Sequence, residues 1–153
     1  MPHDFDIAIV GAGPVGAAVA IALRDAGLSV ALFEARTDAT LSNDARTLAM
    51  SYGSRLILDR LGIWPRIASA TPITSIHVSQ RGGFGRTVLD ASEASLPALG
   101  YVVRYAALQR AFGAALIETP ATLLAGTTVA GITPTDDGIT IEFKKGNDAG
   151  SMT

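Results

Sequence analysis

Cysteine is absent from the 153 residues, and histidine occurs only twice. Without cysteine the chain has no disulfide, no thiolate nucleophile and no cysteine-ligated metal cluster. The absence fits a reducing compartment, and we expect a cytoplasmic protein. The two histidines, His3 and His77, lack the HxxxH spacing and the acidic neighbours of a metal site. We therefore expect them at the chain terminus and on a strand surface, and we predict no metal site.

The sequence also lacks long runs of basic residues and long runs of apolar residues. The 12 basic and 14 acidic residues give a net charge of -2, and no run of Lys or Arg could follow a phosphate backbone. We therefore predict no nucleic-acid partner. No apolar stretch reaches the ~20 residues of a membrane-spanning helix, and acids stand where a signal peptide needs basic residues. With 48% hydrophobic and 17% charged residues, the chain is typical of a globular protein, either one domain or part of two.

The most informative pattern that is present lies between Asp6 and Glu34. An apolar run, Ile7–Val10, is followed by the sequence GAGPVG at residues 11–16 and by an alanine-rich helical stretch. A second apolar run at residues 30–33 ends at Glu34. This order of strand, glycine turn, helix, strand and acid is typical of a βαβ unit that binds an adenine dinucleotide.

Each glycine of the turn has a separate physical task. Gly11 permits the tight turn off the strand, Gly13 lets the backbone approach a diphosphate, and Gly16 lets the helix lie close to the sheet. The helix N-terminus offers free N–H groups and the positive end of its dipole to an anion. Glu34 can accept hydrogen bonds from an adenosine ribose. The alternative is a tight turn in some other α/β domain, with Glu34 as a solvated charge.

Apolar periodicity and turn residues predict the elements that follow. A surface loop is predicted at 35–43, and a helix at 51–61 with an Arg55–Asp59 pair and a buried face of Leu56, Ile57 and Leu61. A hairpin follows at 76–89 and a strand at 101–104. The strand leads into a second helix, with Leu108 and Phe112 on its apolar face, and two further strands are predicted at 127–132 and 138–143. The last residues are small and polar, and we expect disorder there. The whole pattern indicates an α/β fold with a partly parallel sheet and an antiparallel one.

Several longer stretches of the sequence can be compared with motifs of known proteins. They are DIAIVGAGPVG at 6–16, EAR at 34–36, DAR at 44–46, GSR at 53–55, LGIW at 61–64, PI at 72–73, IHVSQRGGFG at 76–85 and LPALGYVV at 96–103. Together they resemble the N-terminal part of the flavin hydroxylases of ubiquinone biosynthesis, which are class A aromatic monooxygenases with the fold of p-hydroxybenzoate hydroxylase. The resemblance covers about residues 5–143, and the segments around His77 and Pro97 are the most particular to the ubiquinone branch.

The resemblance implies a Rossmann-like FAD-binding fold and a set of FAD contacts. The glycine turn would hold the diphosphate, and residues 34–36 would hold the adenosine end. Arg46 would lie on the flavin side, and Arg104 would reach the FAD phosphate or ribitol. For each arginine the alternative is a solvated surface charge. The implied cofactor-binding residues are Gly11, Gly13, Pro14, Gly16, Glu34, Ala35, Arg36, Arg46 and Arg104.

The reaction implied by the resemblance is insertion of one oxygen atom of O2 into a phenolic ring. NAD(P)H is the co-substrate that reduces FAD, while the protein orients the ring and excludes water. The expected substrate is a small aromatic molecule, a ubiquinone precursor that could carry a polyprenyl tail. A protein acting on such a tail is expected to touch the inner face of the cytoplasmic membrane peripherally. No catalytic acid or base is predicted in this chain.

The chain is much shorter than members of that family, and two later cofactor motifs of the family have no match in it. Asp137 and Gly138 are better explained as a turn pair. We expect the first part of an FAD-binding domain at 1–70, a substrate-side hairpin and strand at 71–104, a return to the FAD-binding domain at 105–143 and a flexible tail at 144–153. These residues alone are predicted to bind FAD weakly or not at all and to be inactive. They are also predicted to expose apolar surface that favours a homodimer or aggregation.

Two other kinds of protein remain open. An NAD(P)H-dependent reductase would use the same turn to hold NAD instead of FAD. A catalytically silent Rossmann-like module would serve as a subunit or an interaction domain. Flavin absorbance in the purified protein would separate the hydroxylase from the reductase.

Overall fold

The computed structural model describes residues 4–37 and 44–153, whose contacts define two compact units. One unit contains residues 4–37 and Gln109–Thr153, and the other contains residues 44–108. The helices are α1 (Pro14–Ala22), α2 (Tyr52–Arg60) and α3 (Tyr105–Leu116), with a short 3-10 helix at Trp64–Arg66. The strands are β1 (Ile7–Val10), β2 (Val30–Glu34), β3 (Thr47–Ser51), β4 (Ala70–Ile73), β5 (Ser75–Ser79), β6 (Arg86–Asp90), β7 (Gly100–Arg104), β8 (Thr122–Ala125), β9 (Thr127–Thr135), β10 (Gly138–Lys145) and β11 (Asp148–Met152).

A parallel sheet in the order β1-β2-β8 lies in the first unit. β1 pairs with β2 in a register that places Ile7 opposite Val30, and β8 pairs with the other edge of β2. All residues of β2 are buried, as expected for an apolar strand with a neighbour on each edge. Helix α1 connects β1 to β2 and buries Ala17, Ala20 and Ile21. The predicted α/β fold with a parallel βαβ unit is confirmed.

An antiparallel sheet in the order β11-β10-β9 also belongs to the first unit. β9 and β10 confirm the strands predicted at 127–132 and 138–143. The predicted flexible tail is wrong for Asp148–Met152, because these residues form β11 along the free edge of β10. Strands pair through backbone hydrogen bonds, so the small side chains of this segment do not prevent it from pairing with β10. The Thr153 N–H also donates to the Asp4 carboxylate over 3.0 Å, which holds the last residue in place.

The second unit contains the antiparallel sheet β3-β7-β4 and the hairpin β5-β6. The hairpin pairs Ile76 with Leu89 and confirms the prediction for 76–89. The unit does not begin at residue 71, where the substrate-side segment was predicted to begin, because β3 pairs with β7. Its other boundary falls inside α3, between Leu108 and Gln109. The assignment of these segments to FAD-binding and substrate-side parts stays a prediction.

Helix α2 begins where the sequence predicts, but its buried face differs. The Ser51 hydroxyl accepts a hydrogen bond from the Ser54 N–H over 3.1 Å and caps the helix. Leu58 is buried, whereas Leu56 and Ile57 are 41% and 60% exposed. Three consecutive apolar residues leave the buried face of a helix undecided, and only the packing of the second unit selects Leu58.

Helix α3 confirms the helix predicted after residue 104. Leu108 and Phe112 are buried, as their spacing predicts. The predicted loop at 35–43 lies mostly outside the described residues. None of the helices in the part of the chain that the structure describes has both the length and the apolar character needed to cross a bilayer.

Candidate dinucleotide-binding site

The turn between β1 and α1 requires glycine at two positions for different reasons. Gly11 has φ of +99°, a conformation that other residues rarely adopt, and its N–H donates to the Phe33 carbonyl over 2.8 Å. A Cβ added to Gly16 would lie 1.9 Å from the Gly11 carbonyl oxygen and 3.2 Å from a methyl carbon of Ile9. Helix α1 can therefore approach the end of β1 only because residue 16 has no side chain.

Gly13 differs from these two glycines, because the fold itself leaves room for a side chain there. It is the N-cap of α1, with φ of -67°, and Pro14 follows at the first helical position. A Cβ on Gly13 would meet no described atom within 4 Å. It would project into the open space beside the helix N-terminus, where the N–H groups of the first turn lack acceptors within the helix. This space fits a diphosphate, whose negative charge the helix end attracts.

Glu34 joins the end of β2 to the glycine turn. One carboxylate oxygen, Oε2, accepts the Ala12 N–H over 2.9 Å. The other, Oε1, accepts the Arg36 N–H over 3.0 Å and the Arg36 Nε over 2.9 Å. Glu34 is 6% exposed, so this carboxylate is almost completely removed from water. The structure therefore gives Glu34 a role in fixing the turn, and its predicted contact with ribose would use its remaining lone pairs.

The ionisation of Glu34 follows from these contacts. Burial raises the pKa of Glu34, but the hydrogen bonds from Arg36 and from the Ala12 N–H outweigh it and hold the pKa below its ordinary value. A carboxyl group whose pKa is lower in the folded state stabilises the fold fully above its unfolded pKa. This stabilisation is lost as the pH falls through the folded value.

Replacing Glu34 with glutamine is expected to remove that pH dependence. At neutral pH the Glu34→Gln change should lower the free energy of unfolding by about 2 kcal/mol, because it breaks charged hydrogen bonds in a buried site. The difference between the two proteins should shrink as the pH falls below the ordinary pKa of glutamate, about 4.3. Chemical denaturation at several pH values measures both effects. Glu93→Gln, at an exposed turn, is the matched control. A constant difference between Glu34→Gln and the native protein at every pH would contradict the prediction.

The other predicted cofactor residues fall into two groups. In the first unit, Ala35 is exposed, and the Arg36 side chain is 49% exposed while it pairs with Glu34. In the second unit, Arg46 and Arg104 lie beside the β3-β7 ladder, where Arg104 is the partner of Thr47. The structure thus brings the glycine turn, Glu34 and Arg36 together through hydrogen bonds. The FAD contacts of all these residues stay predictions.

Arg46 has protein partners of its own. Its Nε donates to the Asp44 carboxylate over 2.9 Å, and its guanidinium lies 5.1 Å from the centre of the Tyr105 ring. Hydrogen bonds from Arg46 hold the pKa of Asp44 below its ordinary value. The Arg46 side chain is nevertheless 72% exposed, so its outer face remains accessible.

A cavity of about 200 Å³ lies in the first unit beside the N-terminus of α1. Its walls come from the start of α1, from α3 and from the segment that leads into β8, and most of them are apolar. Gln109 and Thr119 are polar residues of the lining, and Gln109 lies on the buried face of α3. Gln109 was not among the site residues predicted from the sequence. The available signal is a glutamine next to Leu108 within an otherwise apolar helix face.

Comparison with known proteins assigns a family to this geometry. A family model described as "FAD binding domain" matches residues 4–153. The solved structure of CabE, an aromatic hydroxylase from angucycline biosynthesis, superposes with a TM-score of 0.79. The match covers 97% of this chain and 29% of that chain at 23% identity, and it establishes the likeness of fold.

Two curated relatives add sequence similarity. The 3-demethoxyubiquinol 3-hydroxylase of Escherichia coli (strain K12) is 34% identical over 121 residues, which are 75% of this chain and 31% of the relative. Ubiquinone hydroxylase UbiL of Rhodospirillum rubrum is 30% identical over 146 residues, which are 92% of this chain and 34% of the relative. The chain therefore spans about a third of the length of these relatives.

Proposed function

Because this chain belongs to the FAD binding domain family, we propose that it holds FAD at the glycine turn and is the N-terminal part of an FAD-dependent aromatic hydroxylase. The observation that carries the proposal is the open space beside Gly13 at the N-terminus of α1, next to a turn fixed by Glu34. The packing of the fold leaves room for a side chain at this position, whereas a diphosphate that lay against the backbone would not. The family match and the geometry thus support the same cofactor.

The residues of this chain would bind and orient the cofactor. The N–H groups at the start of α1 attract the diphosphate, and Glu34 holds the Ala12 peptide so that the turn keeps its shape. Arg36, paired with Glu34, stands beside the position proposed for adenosine. When bound, FAD supplies the redox and oxygen-transfer chemistry, with NAD(P)H as the electron donor. We assign no proton transfer to any residue of this chain.

The proposed substrate is a phenolic ring, with a ubiquinone precursor as the best-supported class. The support is sequence similarity to two relatives whose names describe ubiquinone-pathway hydroxylases.

If the precursor carries a polyprenyl tail, we propose a cytoplasmic protein that contacts the membrane surface peripherally. A homodimer is also proposed, because apolar side chains such as Val15 and Ile117 are 80% and 82% exposed.

Titration with dinucleotides tests the cofactor. FAD added at millimolar concentration should shift the amide NMR signals of the glycine turn and of the first turn of α1, and NADH should shift them less. NMR suits the experiment because the 153 residues alone are expected to bind FAD weakly. Equal or larger shifts with NADH would favour an NAD(P)H-dependent reductase. Because the 153 residues alone are predicted to bind FAD weakly or not at all, the same titration is also made with the whole hydroxylase of which they are proposed to be the N-terminal part. Unchanged signals of the glycine turn in that protein with both dinucleotides would favour the silent module and contradict the proposal.

The isolated chain is also predicted to be inactive. With FAD, NAD(P)H and a phenol present, it should form no hydroxylated product, as measured by mass spectrometry. Purification of the chain with FAD at full occupancy would contradict the predicted weak binding, and product formation would contradict the predicted inactivity.

A further inference from the structure

The β5-β6 hairpin of the second unit has one apolar face and one polar face. Cross-strand partners lie on the same face of a hairpin, and successive residues alternate between the two faces. One face therefore carries the pairs Ile76–Leu89 and Val78–Thr87, and the other carries Ser75–Asp90, His77–Val88 and Ser79–Arg86. Most side chains of the first face are apolar, and most of the second are polar. The hairpin is therefore amphipathic.

The apolar face of the hairpin is open to solvent in the part of the chain that the structure describes. All residues of β5 are exposed, and Val78 and Leu89 are 55% and 48% exposed. A two-stranded hairpin alone is marginally stable in water and needs a further layer against its hydrophobic side. The side chains of Ile76, Val78 and Leu89 therefore form a docking surface, which we call the apolar hairpin face.

The turn of the hairpin carries an aromatic side chain between two cations. Phe84 lies between Gly83 and Gly85 and is fully exposed. Arg81 and Arg86 are also exposed, and neither forms an ion pair with a described residue. No Asp or Glu occurs from residue 76 to residue 89. The tip of the hairpin is therefore apolar at its centre and positive at its margins.

The charge of the second unit indicates which partner suits the hairpin. Residues 44–108 contain seven arginines and four acids, a net charge of +3, although the whole chain has a net charge of -2. A positive unit is attracted to an anionic surface, and an exposed apolar tip requires an apolar layer behind that surface. An anionic phospholipid membrane offers both, since negative headgroups cover its acyl chains.

We propose that the β5-β6 hairpin docks this chain on an anionic phospholipid membrane. Phe84 and the apolar hairpin face enter the boundary between headgroups and acyl chains, and Arg81 and Arg86 stay at the level of the headgroups. Arginine suits this position because its stem is apolar while its charged end remains in water. The inference rests on the peripheral membrane contact that belongs to the proposed function, and it does not depend on the FAD site.

Sedimentation with phospholipid vesicles tests the docking. The chain should bind mixed vesicles of phosphatidylcholine and phosphatidylglycerol much more strongly than vesicles of phosphatidylcholine alone, and added salt should weaken the binding. Absence of binding to the mixed vesicles, or equal binding to both kinds at every salt concentration, would overturn the proposal. The FAD titration of the glycine turn is a separate measurement, so failure of the docking leaves the proposed cofactor site standing.

Variants at the tip locate the contact. Phe84→Ser should lower the affinity for mixed vesicles at least tenfold, because the phenylalanine ring supplies a large apolar area, and should not change the melting temperature. Arg81→Gln and Arg86→Gln should each lower the affinity about fivefold, as for one cation near an anionic surface. Ile57→Ser and Arg60→Gln are the matched controls, since they alter exposed residues of α2 in the same unit. Both controls should bind like the native chain.

Three other results would each overturn the proposal. Equal vesicle binding by Phe84→Ser and the native chain would place the membrane contact elsewhere. If vesicles bound neither protein and Phe84→Ser abolished self-association in analytical ultracentrifugation, the partner of the hairpin would be a second copy of the chain. If the whole hydroxylase did not bind mixed vesicles and protected its hairpin amides from hydrogen exchange, the rest of that protein would cover the apolar hairpin face.

Discussion

Replacing Gly16 with alanine is expected to lower the free energy of unfolding by about 3 kcal/mol or more, the upper part of the range for overpacked sites. The added Cβ would lie 1.9 Å from the Gly11 carbonyl oxygen, far inside van der Waals contact. The oxygen cannot move aside easily, because it belongs to the backbone of a turn whose N–H is bonded to the Phe33 carbonyl. Either α1 shifts away from β1 or the turn rearranges. Both outcomes also separate the elements that would hold the diphosphate.

Chemical and thermal denaturation measure this effect. A loss of about 3 kcal/mol corresponds to a fall in melting temperature of roughly 10 °C for a chain of this size. Gly53→Ala is the matched control, since a Cβ there would meet its nearest neighbour, the Ser51 hydroxyl oxygen, at an ordinary 3.7 Å. Gly53 lies in α2, where alanine is favoured over glycine by up to about 1 kcal/mol. If Gly16→Ala and Gly53→Ala had the same stability, the close packing of α1 on β1 would be refuted.

The predictable parts of the fold are those with strong local signals. The unit from β1 to β2 was predicted because its apolar runs, its glycine turn and its helix follow one another without interruption. Helix α2 and the β5-β6 hairpin were predicted for the same reason, since each depends on residues close together in the sequence. The local sequence of each of these elements is therefore sufficient to predict it.

The unpredicted strands depend on partners that are distant in the sequence. β8 is short and becomes a strand through pairing with β2, about ninety residues earlier. β3 and β4 both pair with β7, and β11 consists of small residues held along the edge of β10. Local patterns cannot reveal these strands, because their stability comes from backbone pairing in the folded protein.

The features of the candidate site also divide into those with a local sequence signal, which were predicted, and those that depend on distant residues, which were not. The roles of Gly11 and Gly16 in the turn were predicted correctly, because only glycine permits a positive φ or such close packing. The hydrogen bond from Ala12 to Glu34 was not predicted, since it joins a turn to a strand end 22 residues later. The environment of Arg46 was equally hidden, because its contact with Tyr105 depends on the pairing of β3 with β7.

Replacing Gly13 with alanine is expected to abolish FAD binding while leaving the fold intact. Gly13 has φ of -67°, and its added Cβ would meet no described atom within 4 Å, so alanine there would cause neither backbone strain nor a clash. A diphosphate lying against the backbone would meet that Cβ directly. We expect FAD affinity to fall at least 100-fold, equal to about 2.7 kcal/mol, because the phosphate must withdraw from the helix N-terminus or the turn must deform.

NMR titration with FAD measures the affinity, and denaturation measures the stability of the same samples. The free energy of unfolding should fall by no more than about 1 kcal/mol, because alanine is a poorer N-cap than glycine but creates no clash here. Gly16→Ala should lose both properties, Gly13→Ala only binding, and Gly53→Ala neither. This pattern of results would distinguish Gly13, which ligand binding requires, from Gly16, which the packing of the fold requires. If Gly13→Ala bound FAD as tightly as the native chain, the open space beside α1 would not be the diphosphate site, although the α/β fold would still stand.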